Sequence, residues 1–483
     1  MITKEQLNKY EMTIGIECHV QLNTKTKLFS GADNDARDKQ PNAVVSPIDY
    51  ALPGMLPVLN QAAVKKAILA GFALQSTINN TSRFDRKHYY YPDLPKAYQI
   101  SQLYQPIIGS GKVTVVDPTT GKETTIRIEH AHLEEDAGKL THYSGYSLVD
   151  LNRCGTPLIE IVSQPDIHSA AVARAYVTEL HRLMTFAGVT NGDLYQGNMR
   201  FDVNISAAKK DAKELGVRSE TKNLNSFKSV ERTAEYEFKR QVELLEAGKP
   251  VKQETRGWDE AKQKTVTQRS KEEANDYRYM PDPDIPPVVL TDEFIWQIGQ
   301  TLPAMPNEYR AKWQQLKLDH SVTEALLNNQ QLAIKLTKVL ELSDAKTTTR
   351  VAHWFTLALS TDTEVDDVQL AKVPPEYLVE LSNMAGDNKL SSTSAKEVFL
   401  KLDGTRAPLE LAKEMNLLQV SDTDAIAKIV DTVLAAPESA QAVADIKAGQ
   451  DKAIGFLVGQ VMKLSKGQAN PGLAQELIRE RVK

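Results

Sequence analysis

Residues Glu11–Leu22 alternate apolar and polar without a break. Met12, Ile14, Ile16, Cys18, Val20 and Leu22 share one phase; Glu11, Thr13, Gly15, Glu17, His19 and Gln21 share the other. Successive side chains of a strand leave opposite faces, so a period of two demands a β-strand with one buried and one polar face. Met199–Ser206 repeats the pattern, with Met199, Phe201, Val203 and Ile205 set against Arg200, Asp202, Asn204 and Ser206. Thr125–His132 and Leu158–Val162 are further strand candidates. One-sided strands suit an antiparallel sheet, because parallel sheets bury both faces. The predicted fold class is therefore α+β: a mostly antiparallel sheet whose polar, carboxylate-bearing face can floor an active site, followed by helices.

The helical texture begins near Glu293, where aromatics thin out and Ala, Leu, Lys and Glu dominate. Just before it, Pro281-Asp282-Pro283-Asp284-Ile285-Pro286-Pro287 cannot be helical, since each proline fixes φ and removes a donor. A chain of 483 residues exceeds one ordinary core. The expected division is a sheet domain over residues 1–295, an all-α domain over 296–405 and a small helical tail over 406–483. In the tail, helices are expected over Ala425–Ala435, Ser439–Lys447 and Asp451–Lys466, and again after Asn470-Pro471-Gly472.

Composition excludes several classes. No apolar run reaches the roughly 18–20 residues of a membrane span. The opening MITKEQLNKYEM lacks the apolar stretch of a secretory signal. Cys18 and Cys154 are the only cysteines, too few for a disulfide framework or a Cys-rich zinc site, and fit a reducing cytoplasm. The net charge of −5 means that any nucleic-acid contact must rest on local basic patches.

Two clusters can carry chemistry. The first is Glu17, His19, Glu134, Glu135, Asp136 and Glu160. Glu17 and His19 leave the same strand face about 7 Å apart. Carboxylates with one imidazole suit a hard divalent cation such as Mg²⁺ or Mn²⁺. The bland alternative is a solvated acidic turn beside a structural histidine. The second cluster spans Arg83–Gln102, where Arg86, Lys87 and Lys96 could meet phosphates and the tyrosines could stack on bases or pack. No G-x-x-x-x-G-K-[ST] loop, G-x-S-x-G elbow or His-Glu-x-x-His helix is present, so any ATP site is not a P-loop.

Ile14–Leu22, Tyr91–Gln102, His132–Lys139, Asp150–Ser163, Lys222–Phe227, Glu254–Arg256, Asp276–Tyr279, Gly455–Gln460 and Gly467–Pro471 together resemble the B subunits of bacterial tRNA-dependent amidotransferases, in family order and over essentially the whole chain. The resemblance implies a catalytic cradle, a helical domain and a tRNA-binding tail. It implies ATP- and Mg²⁺-dependent phosphorylation of the side-chain carboxylate of Glu-tRNA(Gln) or Asp-tRNA(Asn), then amidation by ammonia. The metal ligands it implies are Glu17, His19, Glu135 and Glu160, with Glu134 as a neighbour. Expected nucleotide contacts are Arg86, Lys87, Lys96 and Ser101. Phe201 stands where the family often has Cys and Gln164 where Glu is common, both away from these ligands. Glutamine hydrolysis needs an activated nucleophile. Cys18 lies on an apolar face, and Cys154 sits in a turn before Gly155 with no activating motif. The resemblance places that step on an amidase A subunit, joined by a small C subunit. A synthetase-like enzyme and a non-catalytic tRNA scaffold are the competing readings; the archaeal E-type relative needs an extra domain for which the spacing leaves no room.

Overall fold

The computed structural model describes residues 2–270, 277–360, 367–419, 423–448, 450–465 and 469–482. Asp276, Lys466, Gly467, Gln468 and Lys483, all within segments singled out above, lie outside the described residues. The chain divides into two compact units, Met1–Pro306 and Asn307–Lys483.

The first unit is built on eleven strands that matter for the site: β1 (Tyr10–Gln21), β2 (Asp85–His88), β3 (Tyr98–Ser101), β4 (Gly111–Val116), β5 (Glu123–Glu135), β6 (Pro157–Ser163), β7 (Met199–Lys209), β8 (Ser219–Leu224), β9 (Glu254–Asp259), β10 (Lys264–Ser270) and β11 (Met280–Pro281). Eight form one sheet in the order β10-β9-β8-β7-β1-β6-β5-β4. Every neighbouring pair is antiparallel except β8 with β9, so the expected α+β class with a mostly antiparallel sheet is what forms. A smaller sheet, β11-β2-β3, carries the basic tyrosine-rich segment.

The apolar phase of β1 is wholly buried: Ile14, Ile16, Cys18, Val20 and Leu22 are 0–1% exposed. It joins Met199, Phe201, Val203 and Ile205 of β7 in one core. The Ala170–Phe186 and Phe227–Glu246 helices cover that face with Tyr176, Val177, Leu180, Met184, Val230 and Ala234. Each helix starts on a serine whose hydroxyl accepts a backbone N–H one turn in: Ser169 from Val172 and Ser226 from Ser229.

β5 departs from a simple alternation. Ile126 and Ile128 are buried, but past a register shift between Ile128 and His130 the buried positions become Ala131 and Leu133. One extra residue in a strand moves every later side chain to the opposite face. That bulge turns His130, His132 and Glu134 onto the polar side. The strand also runs on to Glu135, beyond the Thr125–His132 expected from the pattern.

The Asp292–Gly299 helix packs Phe294, Ile295 and Ile298 on the first unit's core, which therefore continues past residue 295. The second unit is helical. Its Pro408–Glu414 helix buries Leu411 and Ala412 and packs on the Pro375–Gly386 and Ser392–Lys401 helices that precede it. Ile426, Val430, Val433, Leu457, Val461, Leu477 and Ile478 form a separate small core in the tail.

Glu237 ties the far edge of the sheet together. Its buried carboxylate accepts from Ser219 of β8 and Arg240, each at 2.8 Å, and from Thr265 of β10, and pairs with the Arg256 guanidinium of β9 at 3.0 Å. Glu237→Ala would leave two guanidinium groups short of a partner in a dry setting. It is expected to destabilise the protein by about 3 kcal/mol, read as a lower urea midpoint; an unchanged midpoint would show that Glu254 alone satisfies both arginines.

Candidate functional site

The sheet's polar face gathers its charged groups by register. His19 on β1 pairs directly with Glu160 on β6, which pairs in turn with His132 on β5. His19 Nε2 lies 3.4 Å from Glu160 Oε2 and 3.8 Å from Glu134 Oε1. His132 Nε2 lies 3.5 Å from Glu160 and 3.7 Å from Glu134. Ser101 Oγ donates to Glu134 Oε2 at 3.2 Å. One donor atom each from His19, Glu134 and Glu160 falls within 4.8 Å of the others. Two carboxylates and one imidazole converging from three strands fit a hard divalent cation with positions left open.

Burial would lower the His19 pKa, but the Glu160 hydrogen bond and the Glu160, Glu134 and Asp202 charges outweigh it and raise it to about 9. The same balance raises His132. Burial works against ionisation of Glu160, yet His132 and His19 hold it well below the usual carboxylate range. In the cation-free protein the imidazole protons offset the acids. His132 Nδ1 is buried with no hydrogen-bond partner.

The other expected residues divide. Glu17 joins a different trio with Asp202 and Glu220. That trio already has one counter-charge from within the chain, Lys222, 3.0 Å from Asp202 and 2.5 Å from Glu220. Glu135 faces away from Glu134, as strand neighbours must. Its carboxylate is 2.6 Å from Lys96 Nζ and accepts the Ile100 N–H at 2.9 Å, so Glu135 and Lys96 engage each other and lie apart from the His19 group. Arg86 is clamped by Asp282 at 2.9 Å and Asp284 at 2.6 Å beneath the Tyr98 ring, and is spent on structure. Ser101 directs its hydroxyl at Glu134. Lys87 differs: it makes no ion pair within 4 Å among the described residues, and lies 5.0 Å from the Tyr277 ring centre. Burial lowers its pKa, but Glu134 and Glu160 among the groups around it raise it overall.

Sequence reasoning did not single out His132. Its signal was its shared parity with Glu134, two residues on. Asp136 is held by Arg200 at 3.2 Å and Arg153 at 3.5 Å, and accepts from Gln21 at 3.3 Å. Along β1, Glu17 borders a cavity of about 260 Å³ and Gln21 one of about 620 Å³, with His19 between them.

A cation binding at His19 must displace a proton whose pKa is about 9. Mn²⁺ affinity should therefore rise with pH through the neutral range, by at most about tenfold per unit, and level off near pH 9. Titration calorimetry across that range checks this; a flat affinity would show that His19 is not a ligand.

Comparison with known proteins places this geometry in context. A family model for the GatB/GatE catalytic domain matches residues 12–296, and one for the GatB domain matches residues 336–482. The B subunit of the aspartyl/glutamyl-tRNA(Asn/Gln) amidotransferase of Nitrosococcus oceani is 43% identical over 481 residues, covering 98% of this chain and 100% of the relative. That of Caldicellulosiruptor saccharolyticus is 41% identical over 482 residues, covering 98% and 99%. The second such B subunit of Clostridium acetobutylicum is 43% identical over 476 residues, covering 97% and 98%. Matches of this length and identity, on a sheet whose polar face carries the cluster described, show that the chain belongs to the GatB/GatE family of amidotransferase B subunits.

Proposed function

We propose that the first unit phosphorylates the side-chain carboxylate of a glutamate or aspartate esterified to tRNA, and then lets ammonia displace the phosphate. A carboxylate oxygen attacks the γ-phosphorus of ATP and ADP leaves; ammonia then attacks the acyl carbon and expels phosphate, forming the side-chain amide. The step is needed because a carboxylate would otherwise have to expel oxide. The observation that carries the reading is the half-buried His19–Glu160–Glu134 group beside Lys87, which has no ion pair within 4 Å among the described residues. A divalent cation held by His19, Glu134 and Glu160 would offset the phosphate charge during transfer. Lys87 can present its ammonium to a phosphoryl oxygen. Ser101 and His132 keep the Glu134 and Glu160 carboxylates oriented toward one point. The Glu135–Lys96 pair fixes the small sheet against β5 on the far side of that strand.

The nitrogen must come from elsewhere. Cys18 is wholly buried and its thiol is pushed well above the usual range, while burial, with Glu135 adding to it, pushes Cys154 up to about 12. Neither forms a thiolate at neutral pH. The reading therefore includes an amidase A subunit and a small C subunit as partners. It also assigns the tail a grip on the body of the tRNA.

Glu160→Gln and Glu134→Gln should each lower tRNA-dependent ATP hydrolysis roughly 100-fold or more with the urea midpoint little changed. Wild-type rates in both variants at limiting Mg²⁺ would overturn the reading. The purified single chain should release no ammonia from glutamine; release that Cys154→Ala abolishes would put the glutaminase on this chain.

A further inference from the structure

The second unit contains a cavity of about 580 Å³ that the proposed reaction does not use. It lies among the Ala345–Ser360, Pro375–Gly386 and Ser392–Lys401 helices. Arg350, His353, Trp354 and Leu357 fall at i, i+3, i+4 and i+7 of the first helix, so one helical face supplies most of its wall. Lys396 comes from the third helix and Ala385 from the second. The Arg350 guanidinium is fixed in place: Nη1 donates to the Ser382 carbonyl at 2.5 Å and to its hydroxyl at 2.7 Å. Trp354 is held by its stack on Phe399, with ring centres 5.7 Å apart. Among the described residues, no carboxylate stands within 4 Å of Arg350, His353 or Lys396.

Two permanent cations and an imidazole line one hollow with no carboxylate of the described residues within 4 Å of them, a setting that favours an anion. A guanidinium with an ammonium favours phosphate. The apolar floor of Trp354, Leu357 and Ala385 favours a ligand with a sugar or ring attached to that phosphate, and the volume suits one such unit.

We infer that this cavity receives a nucleotide unit, its phosphate against Arg350 and Lys396 and its sugar or ring over the Trp354–Leu357 floor. Two sources carry that chemistry: a nucleotide within the body of the tRNA, which rests on the reading above, and free ATP. The tRNA source is the expected one, because a phosphodiester would also reach His353 at the exposed rim.

The test uses His353→Gln combined with Lys396→Gln in the complete amidotransferase, since both residues are exposed and their side chains bond to none of the described residues; Arg350 is left to keep its Ser382 bonds. Binding of uncharged tRNA, read by filter retention without turnover, should weaken roughly tenfold, and the slope of log affinity against log salt should fall by about one. Transamidation kcat at saturating tRNA should not change. Unchanged tRNA binding with loss of one equivalent of bound ATP would assign the cavity to the free nucleotide. No change in either would overturn the inference. Because the readout needs no catalysis, it stands or falls separately from the Glu160→Gln experiment.

Discussion

The pairing of His19 with Glu160 across two antiparallel strands is the constraint on which the site depends. It is set on the opposite face, by the apolar phase of β1. Ile14, Ile16, Cys18 and Val20 are fully buried, each residue of Ile or Val size being worth roughly 1.5–3 kcal/mol when removed from water. A slip of one residue would expose all of them together, at a cost comparable to the entire stability of a domain. The polar side therefore inherits its geometry from the core and needs no loop to define it.

The inherited geometry is expensive in itself. Two glutamates, two histidines and a nearby lysine share a pocket where an unpaired charge is strongly disfavoured. In the cation-free protein they satisfy one another by proton placement, with imidazolium against carboxylate. Such an arrangement favours exchange: a cation entering between Glu134 and Glu160 would release protons and take over the role they played. The neighbouring trio of Glu17, Asp202 and Glu220 shows the contrasting solution, in which Lys222 supplies a permanent counter-charge from within the chain.

Much of the fold could be read from the sequence wherever one period governs. The alternations of Glu11–Leu22 and Met199–Ser206 assign every face correctly, and place His19, Arg200 and Asp202 on the polar side. The reading failed where chemistry depended on parity within a run or on distant partners. Glu134, Glu135 and Asp136 look like one acidic group in sequence, but strand geometry sends Glu134 to the histidines and Glu135 to Lys96. Glu17 shares a face with His19, yet two residues of strand separate it by more than a cation's reach. Arg86 looked available for phosphate because its partners, Asp282 and Asp284, are 196 and 198 positions away. No local signal announces such a clamp.

The bulge in β5 works as a phase marker. Upstream of it the even positions point into the core, and downstream the same parity points to the site. A change of length in this short segment is therefore tolerated only where it keeps the phase of the residues that follow. Flattening the bulge while keeping its extra residue would carry the alternation of Ile126 and Ile128 onward, driving His132 and Glu134 into oil and turning Leu133 toward the substrate. The sheet can drift by substitution, but the phase of this strand is locked to its chemistry.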